Sequence, residues 1–143
     1  MEAERESPLW AGALRPDGER ELEPVFSRLC ELRFALGLET IYEGYLVHYG
    51  RPRLFEPSDP DTALLLGDYL YAHGLVRVAA EEDVTAVAEL AELISIVSHM
   101  RAEGESQDGE LWAEAAGRLG RGTAAEADED VRQALAAHRE RVG

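Results

Sequence analysis

The seventeen residues ALLLGDYLYAHGLVRVA, positions 63–79, are apolar or aromatic on nearly every side. A helix with so little polar face is normally enclosed by other helices, so this segment is expected at the centre of a helical assembly. The helix begins near Pro60, a residue suited to a first turn, with Ser58 or Asp59 placed to accept the free N–H groups there, and it extends to about Ala80. Gly67 inside it costs about 1 kcal/mol relative to alanine and reads as room for close contact with a neighbour.

The flanking sequence supplies the partners. From about Glu21 to Val47, the residues Val25, Leu29, Leu32 and Leu36 follow i, i+4, i+7, i+11, the stripe of an amphipathic helix, with Pro24 acceptable in its first turn. Gly50, Pro52, Pro57 and Pro60 then impose a loop over residues 49–59. A third helix, about Asp83 to Arg101, places Val87, Leu90, Ala91, Ile94, Val97 and Ser98 along one side. Ser106 or Asp108 is placed to start a shorter helix through Leu119. Thr123 with Glu126 forms a capping-box pattern before a last helix to about Arg141, whose terminal arginines suit the helix dipole. No strand-like alternation longer than four residues occurs and no repeat recurs, so the predicted class is all-α, an antiparallel helical bundle. Residues 1–20 mix Pro8, Gly12, Pro16 and Gly18 with charges and read as a flexible arm with Leu9 and Trp10 as anchors, leaving 21–143 as a single helical domain.

With 143 residues the chain is long enough to bury roughly 68–70% of its unfolded surface. No apolar run approaches the ~20 residues needed to span a bilayer, and the N-terminal MEAERESP is acidic where a secretory signal is basic and then apolar, so the expected location is the cytoplasm. The single cysteine, Cys30, has no partner for an internal disulfide and reads as a small buried hydrophobe. A net charge of −15 argues against nucleic acid and anionic membranes, both of which attract excess Lys and Arg. That charge is uneven: residues 24–80 hold seven acids and five arginines, residues 81–143 fifteen and six. Lysine and asparagine are absent, and no function follows from that.

The near-neutral segment carries a motif. In ETIYEGYLVHYGRPRLFEPSDPDTALLLGD, residues 39–68, Glu39, Thr40 and Glu43 are followed after four residues by His48, Tyr49, Gly50, Arg51 and Pro52, and later by Gly67-Asp68. This spacing resembles the trans-type polyprenyl diphosphate synthases, in which D-D-x-x-D precedes R-R-G-x-P and a later helix carries G-D. Gly50, Pro52 and Gly67-Asp68 keep the frame, whereas Thr40 replaces an aspartate and His48 and Tyr49 replace the paired arginines. The resemblance extends over about residues 25–104. The second aspartate-rich motif has no counterpart: ADEDV at Ala127–Val131 lacks the D-D-x-x-D pattern.

The resemblance implies that Glu39 and Glu43 stand where carboxylates hold magnesium against a substrate diphosphate, a role that two carboxylates one helical turn apart can fill. The alternative for this pair is a solvated helix face, with repulsion of only about 0.2–0.5 kcal/mol. His48 and Asp68 hold family positions, and Arg51 and Arg53 lie at other offsets as substitutes for the diphosphate-binding arginines, whose forked geometry neither His48 nor Tyr49 reproduces. Tyr42, Tyr45, Tyr49, Leu66, Tyr69 and Leu70 read either as core or as a partner interface or prenyl-tunnel wall. His73 and His99 lack a metal-ligand companion at helical spacing. Retained frame with altered ligands implies a non-catalytic small component of a heteromeric hexaprenyl or heptaprenyl diphosphate synthase of the kind that serves menaquinone formation. It would complete the elongation tunnel of a catalytic large subunit, which would supply most of the magnesium site. The alternatives are a homo-oligomeric enzyme, such as a homodimer, using Glu39, Glu43, Arg51 and Arg53, or a helical scaffold.

Overall fold

A computed structural model describes residues 12–20, 24–105, 107–120 and 124–142. Leu9, Trp10, residues 21–23, Ser106 and Thr123 therefore lie outside the described residues. The described chain is all-α: α1 (Leu32–Tyr49), α2 (Pro60–Ala79), α3 (Val84–Ala102), α4 (Gly109–Arg118) and α5 (Ala124–Val142), packed as a bundle. None of the described helices is long and apolar enough to cross a membrane.

The helix starts follow local chemistry. Asp59 caps α2 by accepting from Thr62 N at 2.8 Å with Pro60 in the first turn, and Asp83 caps α3 by accepting from Ala86 N at 3.0 Å. After α3 the chain reverses through Gly104 at φ 81°, a left-handed position where glycine is unstrained.

The first helix begins later than its apolar spacing suggests. Ser27–Leu29 forms a 3₁₀ turn and α1 starts at Leu32. The reason lies in Glu39, whose Oε2 accepts from the backbone N–H groups of Val25, Phe26 and Ser27 at 3.1, 3.1 and 2.8 Å, holding these residues in a turn outside the helix. The stripe shifts accordingly: Leu32 and Leu36 are exposed, and the buried face is Phe34, Leu38, Ile41, Tyr42, Tyr45 and Leu46.

α1, not α2, is the central element. Its buried residues meet Leu90, Leu93 and Val97 of α3, Trp112 and Ala116 of α4 and Ala134 of α5 in one core. α2 lies against α1 in an antiparallel register fixed by two glycine pairs, Gly37 with Gly74 and Gly44 with Gly67. A Cβ on Gly44 would sit 2.9 Å from Gly67 O, and one on Gly74 would sit 2.8 Å from Gly37 O. The expectation that α2 is enclosed fails on its other side: Leu64, Leu65 and Val76 are 56%, 60% and 66% exposed. The remaining helices gather with α1 in the main core, and Leu64, Leu65 and Val76 on the outer side of α2 stay exposed.

Part of the N-terminal arm is packed. Arg15 N donates to Leu54 O and Glu56 N to Ala13 O, each at 2.7 Å, in a single bridge that sets Ala13 beside Val47, Phe55, Leu66 and Leu70 in a second, smaller core.

Candidate functional site

Glu39 and Glu43, the carboxylates expected to hold a metal, converge on one cation. From the loop after α1, Arg53 reaches back under the helix: Nε donates to Glu43 Oε1 at 2.9 Å, Nη1 to Glu39 Oε1, and Nη2 to the Glu39 carbonyl at 3.2 Å. The second Glu43 oxygen accepts from the N–H groups of Arg53 and Leu54 at 2.9 and 2.8 Å. Glu43 is 2% and Arg53 5% exposed. Burial works against the Arg53 cation, but Glu39 and Glu43 outweigh it and hold the guanidinium charged more firmly than usual. The Tyr42 ring lies under it at 5.3 Å.

Every oxygen of this pair is thus engaged by N–H donors, and a guanidinium fills the place a divalent cation would take. The residues as arranged do not fit magnesium, which needs oxygen ligands open to it. Among the described residues no group of three or more His, Cys, Asp or Glu side chains is placed to hold a metal ion.

The other motif residues scatter. The His48 ring lies directly over Gly67, where a Cβ would come within 1.8 Å of it, and stacks on Tyr71 at 5.3 Å. His48 Nε2 is 3.3 Å from Asp68 Oδ1, an ion-pair distance at an angle that makes no hydrogen bond. Burial pushes the imidazole pKa down and Asp68 only partly opposes this. Arg51 is exposed, with its N–H bonded to Arg141 O at 2.9 Å. Glu39, Glu43 and Arg53 are therefore one site, His48 and Asp68 a second, and Arg51 belongs to neither. Of the proposed interface or tunnel residues, Tyr42, Tyr45, Leu66 and Leu70 are wholly buried within this chain, while Tyr49 and Tyr69 are half-buried. Of the two readings open for the tyrosine stripe, burial favours core at Tyr42 and Tyr45.

A further polar cluster has no motif to announce it. Asp108, wholly buried at the start of α4, accepts from Tyr45 Oη and from Arg101 Nε at 3.1 Å, and meets His138 Nε2 at 2.9 Å. His138 Nδ1 lies 2.6 Å from Tyr42 Oη. These partners suit an imidazole that donates from Nε2 and accepts the tyrosine proton at Nδ1. Burial would raise the Asp108 carboxyl, but hydrogen bonds from His138, Tyr45 and Arg101 prevail and hold it below its ordinary range. Burial, reinforced by Asp108, drives the Tyr45 hydroxyl pKa up. His138 borders a hollow of about 460 Å³ between α4 and α5, yet both ring nitrogens are engaged, so it presents neither base nor ligand there. The cluster ties α1, α3, α4 and α5 together. Its sequence signal was a histidine within the apolar stripe Val131, Leu135, His138, Val142.

No model of a known protein family matches this chain, and searches of curated proteins and of solved structures likewise find no match.

Proposed function

We propose that this chain is a non-catalytic helical component of a heteromeric polyprenyl diphosphate synthase that binds a catalytic large subunit through the outer face of α2. One observation carries the reading: Arg53 is ion-paired to both of the carboxylates that would hold the metal in a catalytic chain and occupies them. A homo-oligomeric enzyme built on Glu39, Glu43 and Arg53 would have to dismantle a buried ion-pair network, which costs several kcal/mol.

The second support is the face opposite α1. Leu65, Ala72 and Val76 recur at i, i+7, i+11 with Leu64 beside them and the exposed Asp68 on the same face, a largely apolar stripe of the kind another helix packs against. The nature of the partner rests on the Glu39–Asp68 spacing. In this reading α2 closes the partner's elongation tunnel and influences product length, hexaprenyl or heptaprenyl chains for menaquinone being the expected products, and the partner supplies magnesium.

The test is a prenyl-transfer assay with farnesyl diphosphate, isopentenyl diphosphate and magnesium, on this chain alone and mixed with a candidate large subunit. Activity or altered product length in the mixture alone supports the proposal. Turnover by this chain alone, or a mixture that neither associates nor changes prenyl transfer, overturns it.

A further inference from the structure

In the second core, Ala13 packs with Val47 of α1, Phe55 of the following loop, and Leu66 and Leu70 of α2. The stripe that carries Leu66 and Leu70 continues along α2 as His73 and Arg77, at i+7 and i+11 from Leu66. The stripe of Val47 continues along α1 as Thr40 and Leu36, at i−7 and i−11. Because Gly37 meets Gly74 and Gly44 meets Gly67, the two helices are antiparallel and both continuations run the same way. Thr40 and Leu36 therefore stand across a seam from His73 and Arg77, and this seam extends the strip that Ala13 covers.

The polar atoms along the seam are already engaged. The Thr40 hydroxyl donates to Leu36 O at 2.7 Å, and His73 Nε2 accepts from Arg77 Nε at 3.0 Å. The Tyr69 and His73 rings lie nearly parallel, 5.8 Å apart, and Leu36 opposite them is 59% exposed. Phe55, Tyr69, His73 and Arg77 each have a further partner besides these. A surface of two rings and a leucine, with its hydroxyl and imidazole satisfied, suits an aromatic side chain.

The chain carries such a side chain within reach. The described residues begin at Gly12, and Trp10 stands three positions before Ala13, a span of up to about 10 Å. Along α2 the rise from Leu70 to His73 is about 4.5 Å, and from Leu70 to Arg77 about 10 Å. Leu9 and Trp10 are adjacent large apolar residues, and Glu2, Glu4 and Glu6 precede them, opposite in charge to Arg77.

We propose that the seam between α1 and α2 is the docking site of this chain's own N-terminal segment 1–11, with the Trp10 indole between Leu36 and the Tyr69 and His73 rings and the glutamates towards Arg77. Seated there, the segment lengthens the second core and straps α1 to α2. The seam uses neither Leu65 and Val76 nor Glu39 and Glu43, so the strap stands or falls apart from the subunit reading.

NMR of the full chain tests this. NOEs from the Trp10 indole to the Leu36 and Thr40 methyl groups and to the His73 ring are expected, with the indole N–H exchanging with water about tenfold or more slowly than that of N-acetyltryptophanamide. Leu36→Glu, at an exposed position, should erase the NOEs and most of the protection, and Leu65→Glu should leave both unchanged. Circular dichroism melting confirms that each variant is folded. Trp10→Ala, which alters none of the described residues, gives a second reading through loss of ring-current shifts at Leu36 and Thr40, and keeps the test decisive if Leu36→Glu does not fold. A freely exchanging indole, NOEs to another surface such as Leu65 and Val76, or signals untouched by Leu36→Glu would each overturn the assignment. So would NOEs between labelled and unlabelled chains in a mixed sample, because the seam would then hold the segment of a second copy.

Discussion

Arg53 Nε donates to Glu43 Oε1 at 2.9 Å, with both side chains almost fully removed from water. The attraction is strong because the site is dry, and the same dryness makes the loss of one partner costly. Arg53→Met should lower unfolding free energy by about 3–5 kcal/mol, because it strands Glu39 and Glu43 as buried charges. Urea denaturation checks this. Adding Glu39→Gln and Glu43→Gln to Arg53→Met should recover a substantial part of the loss, and failure to recover any would mean the network's worth lies outside its charges.

The Asp108 carboxylate predicts a pH dependence. Its pKa is lower folded than unfolded, so the stabilisation it provides is complete above the unfolded value of about 3.9 and is lost as pH falls through that value towards the folded one. Tyr45, Arg101 and His138 are the groups that face it. Stability measured between pH 6 and pH 3 should therefore fall more steeply in the parent than in Asp108→Asn, which should be less stable at neutral pH and flatter in acid.

Helix existence and class were legible in the sequence because the 3.6-residue period and the proline and glycine breaks are local signals. The position of the first helix start was not, because it is set by Glu39 accepting three N–H groups from residues more than ten positions upstream. Local spacing made Glu39 and Glu43 look like ligands, because it places two carboxylates one turn apart, and only the fold reveals that Arg53 returns to pair with both. Gly67 was readable as a contact residue, whereas Gly37, Gly44 and Gly74 acquire their meaning only once α1 and α2 are paired in register. α2's exposed face was missed because apolarity on all sides signals contact without saying whether the partner is in the same chain.

The glycines differ in what a methyl group would do. Gly44→Ala places its Cβ 2.9 Å from the Gly67 carbonyl, where only the backbone can yield, and should destabilise by about 1–3 kcal/mol. Gly117, within α4, has nothing within 4 Å of such a methyl, so Gly117→Ala should stabilise by about 0.5–1 kcal/mol through helix propensity. Thermal melts of the two variants should shift in opposite directions. A matching shift would mean that α1 and α2 do not approach as closely as their glycines allow.

The outer face of α2 separates stability from assembly. Leu65 and Val76 are exposed in the isolated chain, so Leu65→Glu with Val76→Glu should move its unfolding free energy by no more than about 0.5 kcal/mol per site. If that face meets a partner, each buried carboxylate there is desolvated without a counter-charge, and association should weaken by at least tenfold. Analytical ultracentrifugation of the variant with the candidate large subunit, beside a melt of the variant alone, reads both quantities. A destabilised variant would place the two side chains in this chain's own packing, and an undiminished complex would move the interface elsewhere; only a stable chain that no longer associates fits the role proposed for α2.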